Sequence, residues 1–133
     1  MRAIIGMKKP MSLLTNRYRE DRPWGSFDRF TANELSTVKF LHVAAGKRFS
    51  LQTHTHRSEF WKVIQGTGTA TIDEVDHELK MGDEVEIPVG STHRLTGGSE
   101  GVTVLEIALG HFDEDDIVRL EDDFGRITDA AHG

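Results

Sequence analysis

The chain has 133 residues, a formal net charge of −6, 37% apolar residues and 29% charged residues. This composition excludes a largely disordered chain, and the length suits one domain with a core of its own. The acidic balance disfavours non-specific nucleic-acid binding, which requires a basic surface, and we expect no nucleic-acid partner.

Cysteine is absent from the sequence, which excludes a disulfide framework and thiolate metal ligands. Its absence fits a reducing compartment. The first 21 residues contain no continuous apolar core of a signal peptide, and no apolar run approaches the roughly 18 residues of a membrane span. We therefore expect a cytoplasmic protein without a membrane partner.

Taken in order, the chain begins with a segment of mixed polarity at 1–20, which we interpret as an N-terminal arm. From residue 21 to 126, short apolar runs recur at spacings of about 8–12 residues, which is typical of an all-β sandwich or barrel. Gly66 and Gly68 separate two of these runs. Residues 113–126 are acidic and fit either a short helix or an extended wrap, and 127–133 form a C-terminal tail. The predicted strands are 48–53, 59–65, 69–72, 77–81 and 102–109.

Four potential metal ligands cluster in two parts of the chain. Gln52 and His54 are two residues apart, and residues at that spacing on a strand share a face. Glu59 follows closely, and His93 follows a Pro-x-Gly turn. One amide, two imidazoles and one carboxylate suit Zn, Mn, Fe, Co or Ni. A lone histidine on a strand is more often structural, but this clustering favours one divalent metal ion. His56 fits equally a spare ligand, an outer partner or a substrate contact.

The spacing of these residues resembles the two motifs of the cupin superfamily. The first reads Gly46-x5-Gln52-x-His54-x4-Glu59-x6-Gly66, and the second Gly82-x5-Pro88-x-Gly90-x2-His93. Gln52 takes the place of the first histidine, and Gly97 stands where the second motif usually has asparagine. The resemblance implies a double-stranded β-helix, or jelly-roll barrel, with the metal held by Gln52, His54, Glu59 and His93.

Four segments narrow the resemblance to type II mannose-6-phosphate isomerase domains. They are 22–27 (RPWGSF), 50–59 (SLQTHTHRSE), 87–95 (IPVGSTHRL) and 114–126 (EDDIVRLEDDFGR). Such domains usually form the C-terminal part of a bifunctional enzyme whose other half is mannose-1-phosphate guanylyltransferase. No segment of this chain resembles that half, so guanylyltransferase activity is not implied. Thr55 stands where the family commonly has a third consecutive histidine. This departure bears on substrate specificity more than on metal binding.

The resemblance implies interconversion of mannose 6-phosphate and fructose 6-phosphate through an enediol, with the metal as electrophile. The candidate catalytic bases are Glu106, which lies in an apolar strand where burial raises a carboxyl pKa, and His56 beside the ligands. The phosphorylated sugar also needs cations. As ligands of the phosphate we rank Arg48 first and Arg126 second. Arg119 could instead have a structural role, in an ion pair with Asp115 or Glu121. The full set of candidates is Lys47, Arg48, Arg57, Arg119 and Arg126.

Two other functions stay open on the sequence alone. One is a non-enzymatic sugar-binding or regulatory cupin that kept the pocket without turnover. The other is a non-haem Fe(II) oxygenase, because His54, Glu59 and His93 form a two-His-one-carboxylate set, although Gln52 as a fourth ligand argues against it. We also expect a homodimer, in which residues 1–20 could supply an exchanged strand.

Overall fold

The computed structural model describes residues 13–127, and its regular structure is entirely β. No helix in this range is long and apolar enough to cross a membrane. The expected all-β class is confirmed. The strands in the described range are β1 (Tyr18–Arg22), β2 (Gly25–Arg29), β3 (Ser36–Val43), β4 (Leu51–Thr53), β5 (Arg57–Ile72), β6 (Val75–Leu79), β7 (Glu84–Ile87), β8 (His93–Gly110) and β9 (Val118–Glu121).

The chain divides into two compact units, residues 1–34 and residues 35–133. In the first unit β1 and β2 form an antiparallel hairpin in which Arg22 pairs with Gly25. An ion pair between Arg19 and Asp28, 3.2 Å long, links the two strands. Residues 1–12 of the predicted arm lie outside the described range, and β1 crosses the boundary that we placed between residues 20 and 21. The domain boundaries stay predictions.

The second unit is built on two long antiparallel strands, β5 and β8. The first half of β5 pairs with β7, while the second half of β8 pairs with β3. The second half of β5 pairs with β6, while the start of β8 continues through β4 to β9. Two half-sheets therefore share the same pair of strands. Apolar side chains from both halves form one buried cluster: Trp61, Val63, Ala70, Leu79, Ile87, Leu95, Val102 and Val104.

Two strands that we predicted as separate, with Gly66 and Gly68 between them, form one continuous strand in the structure. Residues 59–65 and 69–72 belong to one strand, β5, which continues through Gly66 and Gly68. The pairing of β5 with β8 shifts register between Val63 and Gln65 and again between Gly66 and Gly68. Bulges of this kind bend a strand without ending it. The glycines thus mark the bend between the half-sheets.

The acidic segment after β8 is extended, which selects the second of the two predicted alternatives. A turn closed by the Asp116 N–H and the Asp113 carbonyl leads into β9. β9 then pairs with β4, the strand that carries Gln52. The segment therefore lies against the part of the sheet that holds the candidate ligands.

Replacing Gly66 with alanine is expected to lower the free energy of unfolding by about 2 kcal/mol or more. Its φ is +80°, and an added Cβ would lie 2.2 Å from the Gly101 carbonyl oxygen. Gly46→Ala is the control, because Gly46 has φ +70° and no atom within 4 Å of an added Cβ. It should lose only about 1 kcal/mol, the cost of the left-handed backbone. Urea unfolding of both variants measures the difference, and equal losses would contradict the close-approach argument.

Candidate metal centre

Strand pairing brings the predicted ligands together from two separate segments of the second unit, 52–59 and the start of β8. Gln52 on β4 pairs directly with His93, the first residue of β8. His54 follows β4 by one residue, and Glu59 lies in β5, which also pairs with β8. Side chains on adjacent strands and one face lie close together. The fold therefore places the four predicted ligands close together, as the sequence spacing predicted.

Three of these residues form a tight, buried cluster. One ligand atom from each of His54, Glu59 and His93 lies within 4.8 Å of the others. His54 Nε2 is 3.5 Å from Glu59 Oε2, and His93 Nε2 is 3.2 Å from Glu59 Oε1. Each residue is at most 2% exposed. This geometry could hold a metal ion.

Backbone carbonyls determine which nitrogen of each histidine faces the cluster. His54 Nδ1 lies 2.6 Å from the Asp116 carbonyl oxygen, and His93 Nδ1 lies 3.1 Å from that of Ser91. A carbonyl oxygen only accepts, so we assign the proton of each neutral ring to Nδ1. Both Nε2 atoms then act as acceptors on the cluster side, where His54 Nε2 lies 3.2 Å from the donor Arg57 Nη2. An outer hydrogen bond of this kind is typical of metal-ligating histidines.

Two buried acceptors at the centre have no hydrogen-bond partner. They are Glu59 Oε1 and His93 Nε2, which lie only 3.2 Å apart. With the His93 proton on Nδ1, both atoms are acceptors, and burying them against each other is unfavourable unless a proton or a metal ion lies between them. The residues present therefore fit a divalent metal ion, and the mixed nitrogen and oxygen donors are compatible with the metals predicted from the sequence.

Gln52 lies beside the cluster, but its side-chain amide must rotate before its oxygen can act as a ligand. Its Oε1 accepts a 2.7 Å hydrogen bond from the Ser50 hydroxyl, and its Nε2 lies 3.3 Å from His54 Nε2. A half-turn of the amide exchanges the two atoms, and the Ser50 hydroxyl can accept from Nε2 instead. The amide oxygen would then face the cluster as a fourth ligand.

The pKa values of Glu59 and His54 favour the protonation states that bind a cation. Burial raises the pKa of Glu59, but the His93 hydrogen bond and the charges that His93 and His54 carry when protonated, together with the Arg57 hydrogen bond, outweigh burial and bring the pKa to about 2. In the neutral forms assigned above, a metal cation would take the place of those protons. Burial lowers the pKa of His54 below its usual value. A carboxylate that is ionised and an imidazole that is neutral are the forms that bind metals.

Arg57 has a different place from the one predicted. It was a candidate for phosphate binding, but its Nε donates to Glu59 Oε2 at 3.2 Å and its Nη2 lies 3.2 Å from His54 Nε2. Its guanidinium also donates to the Asp113 carbonyl oxygen and lies over the Phe112 ring. Arg57 is therefore a buried partner of the ligands.

Asp116 contacts the candidate site, although it was not among the site residues predicted from the sequence. Its carbonyl oxygen orients His54, and its carboxylate accepts from the Thr55 N–H, the Thr55 hydroxyl and the His56 N–H. Burial raises the pKa of Asp116, but the hydrogen bonds from Thr55 and His56 outweigh it, so the pKa falls to about 2. The ring of His56 itself is on the exposed surface.

Glu106 lies next to the cluster on the neighbouring strand. It pairs with Trp61, two residues along β5 from Glu59, so Glu106 and Glu59 are diagonal neighbours on one face. The Trp61 indole N–H donates to Glu106 Oε2 at 2.9 Å, and Glu106 Oε1 has no hydrogen-bond partner. Burial and then the Glu59 charge raise the pKa of Glu106, the Trp61 hydrogen bond and Lys39 lower it, and the result is about 7.

Three of the predicted phosphate-binding cations line one cavity of about 420 Å³, apart from the cluster. They are Lys47, Arg48 and Arg126. Arg48 is in an ion pair with Asp123, and Arg126 with Asp122, each 2.8 Å long. These two guanidinium groups are thus already neutralised.

Arg119 lies opposite Gln52 on β9. The pairing with Glu121 that we considered is not formed, because Glu121 binds Arg94 at 3.0 Å. Within residues 13–127 the structure gives Arg119 no ion pair with Asp115 either.

Comparison with known proteins identifies the family. The family model described as "Mannose-6-phosphate isomerase C-terminal" matches residues 11–122. The chain belongs to this family. The match covers both ligand-bearing segments and Arg119, and it confirms the resemblance read from the sequence.

Relatives of this mannose-6-phosphate isomerase C-terminal domain are much longer proteins. The alginate biosynthesis protein AlgA of Pseudomonas aeruginosa is 40% identical over 112 residues, which are 83% of this chain and 23% of AlgA. The mannose-1-phosphate guanylyltransferase ManC of Salmonella typhimurium is 39% identical over 108 residues, 80% of this chain and 22% of ManC. The chain therefore spans about a quarter of the length of these relatives.

Solved structures confirm the cupin fold expected for the family. The capsular polysaccharide assembling protein CapF of Staphylococcus aureus superposes with a TM-score of 0.60 at 20% identity, covering 79% of this chain and 34% of CapF. Oxalate decarboxylase of Bacillus subtilis gives a TM-score of 0.61 at 22% identity, covering 65% of this chain and 24% of that protein. At such identities the likeness establishes the fold alone.

Proposed function

We propose that this chain is a metal-dependent aldose–ketose isomerase that interconverts mannose 6-phosphate and fructose 6-phosphate. The observation that carries the proposal is the pairing of a cluster fit for a metal with a buried carboxyl, Glu106, whose pKa is about 7. The family description names a mannose-6-phosphate isomerase, and the names of relatives, such as mannose-1-phosphate guanylyltransferase, point to mannose phosphates.

Isomerisation moves a proton between C1 and C2 of the open-chain sugar through an enediol. A divalent metal held by Gln52, His54, Glu59 and His93 would supply a Lewis acid for the sugar oxygens. Among the four, Gln52 is partly exposed whereas the other three are buried. The sugar would therefore approach past Gln52.

Glu106 is the better supported base of the two candidates. It lies on the face that carries Glu59, and its pKa of about 7 lets it both accept and return a proton near neutral pH. The Trp61 indole holds one carboxylate oxygen, and the other accepts no hydrogen bond but lies 3.9 Å from the Lys39 ammonium. His56 is exposed and directs its backbone N–H to Asp116, which supports a surface role.

The test is an isomerase assay with purified protein stripped of metal by EDTA and reloaded separately with Zn²⁺, Mn²⁺, Fe²⁺, Co²⁺ or Ni²⁺. We expect interconversion of the two sugar phosphates only after reloading, because the unpartnered acceptors need a cation. Absence of turnover with all five metals would contradict the proposal. Thermal stabilisation by mannose 6-phosphate without turnover would support the sugar-binding alternative instead.

A further inference from the structure

We infer that Arg119 binds the phosphate of the sugar substrate and thereby selects phosphorylated over unphosphorylated hexoses. The inference rests on the proposed function and reverses the ranking of cations made from the sequence, in which Arg48 and Arg126 came first.

The position of Arg119 places it at the entrance to the metal cluster. It pairs with Gln52 across β4 and β9, and Gln52 is the partly exposed member of the ligand set. The register shift between Leu51 and Gln52 places Leu51 opposite Glu121 while Gln52 remains opposite Arg119. Cross-strand partners share a face. The Arg119 side chain thus lies on the Gln52 side of the sheet.

The guanidinium of Arg119 forms no ion pair within residues 13–127 and has one buried donor without a partner. The group is partly buried, and its Nε is fully buried without a hydrogen-bond partner. The nearest acidic residue along β9, Glu121, gives its carboxylate to Arg94 at 3.0 Å. Arginine stays protonated at any ordinary pH, so this buried donor carries a cost that an anionic ligand would remove.

The other candidate cations have partners or lie elsewhere. Arg57 donates to Glu59, Arg48 to Asp123 and Arg126 to Asp122. Lys47 is exposed and lines the cavity apart from the cluster. Of the five predicted cations, Arg119 is therefore the one that is both partly buried beside a ligand and unneutralised within residues 13–127.

A phosphate is the ligand that this arrangement fits. A guanidinium presents a planar fork of donors that matches two phosphate oxygens. A hexose whose C1 and C2 oxygens lie at the metal carries its C6 phosphate at the far end, beyond Gln52. Arg119 is the cation on that side of the ligand set.

The test measures binding apart from turnover. The probes are mannitol 6-phosphate and mannitol, which lack a carbonyl, keep the C1 and C2 oxygens and differ only in the phosphate. Calorimetry on Zn²⁺-loaded protein compares wild type with Arg119→Met, Arg119→Lys and Arg126→Met. Arg19→Met is the matched control, because Arg19 is exposed and paired with Asp28 in the other unit.

Arg119→Met is expected to weaken binding of the phosphorylated probe by about tenfold or more and to leave the unphosphorylated probe unaffected. Arg119→Lys should fall between, because it keeps the charge and loses the fork. An equal loss for both probes, no loss, or a larger loss in Arg126→Met would overturn the inference. Selective binding without isomerase activity would contradict the proposed function alone, and wild-type turnover and KM in Arg119→Met would contradict the inference alone.

Discussion

Glu59→Gln is expected to weaken metal binding by more than about 100-fold and to abolish the proposed isomerase activity. Glu59 supplies the carboxylate among the clustered ligands, and its Oε1 faces His93 Nε2 at 3.2 Å. Changing an outer partner of a ligand already costs about 10- to 100-fold in metal affinity, so losing the charged ligand itself should cost more. Glutamine keeps an acceptor for Arg57, which lies 3.2 Å from Glu59 Oε2, and thus limits damage to the fold.

Calorimetric titration with Zn²⁺ and Mn²⁺ measures this loss, and near-UV circular dichroism checks that the variant is folded. Glu78→Gln serves as the control, because Glu78 is an exposed glutamate of the same sheet whose carboxylate accepts from Thr69. Metal should also raise the melting temperature of wild type and of the control but not of Glu59→Gln. Undiminished metal affinity in Glu59→Gln would show that the cluster is not the metal site.

Much of the fold could be predicted because its signals are local. Alternating apolar residues and turn residues predicted most of the second unit's strands. Asp73 and Glu74, both with positive φ, close the β5–β6 hairpin between the predicted strands 69–72 and 77–81. The continuity of β5 through Gly66 was missed, since glycine usually ends a strand. Only the partner strand shows that the register shift at this glycine is absorbed as a bulge.

The candidate site was predictable where its residues lie close in sequence and not where distant segments meet. Gln52, His54, Glu59 and His93 follow fixed spacings. The contact of Asp116 with His54 joins residues 62 positions apart, and that of Arg48 with Asp123 joins residues 75 apart. No local pattern reports such contacts, so the sequence did not reveal that Arg48 pairs with Asp123.

The contact of Arg57 with Glu59 could have been predicted from their spacing in the sequence. Arg57 and Glu59 are two residues apart on β5, so they share a face, and their side chains are 3.2 Å apart. A guanidinium on the ligand face beside a carboxylate indicates a partner of the cluster rather than a free phosphate contact. The absence of an acidic partner for Arg119 among the described residues could likewise be judged only from the structure, since it depends on Glu121 being bound to Arg94.

Glu106→Gln is expected to lower kcat of the proposed reaction by about 10²- to 10⁴-fold while metal affinity stays within a few-fold of wild type. Glutamine can still accept from the Trp61 indole, so the strand pairing and the Trp61 contact should survive. In the wild type the rate should rise with pH as Glu106 loses its proton. Since the Glu59 charge helps raise the pKa of Glu106 to about 7, a cation bound at Glu59 offsets that effect, and the acid limb should lie at or below pH 7.

A purely structural Glu106 makes the opposite predictions, because an ionisable carboxyl buried in an apolar strand is costly for folding. Glu106→Gln would then increase stability and leave kcat and its acid limb unchanged. Stopped assays of kcat across pH 5–9, with urea unfolding of the same protein, separate the two roles. Glu106→Asp adds a second comparison: it keeps the carboxyl but withdraws it by one methylene from the Trp61 indole, so a base loses rate through misplacement, whereas a structural carboxyl loses none.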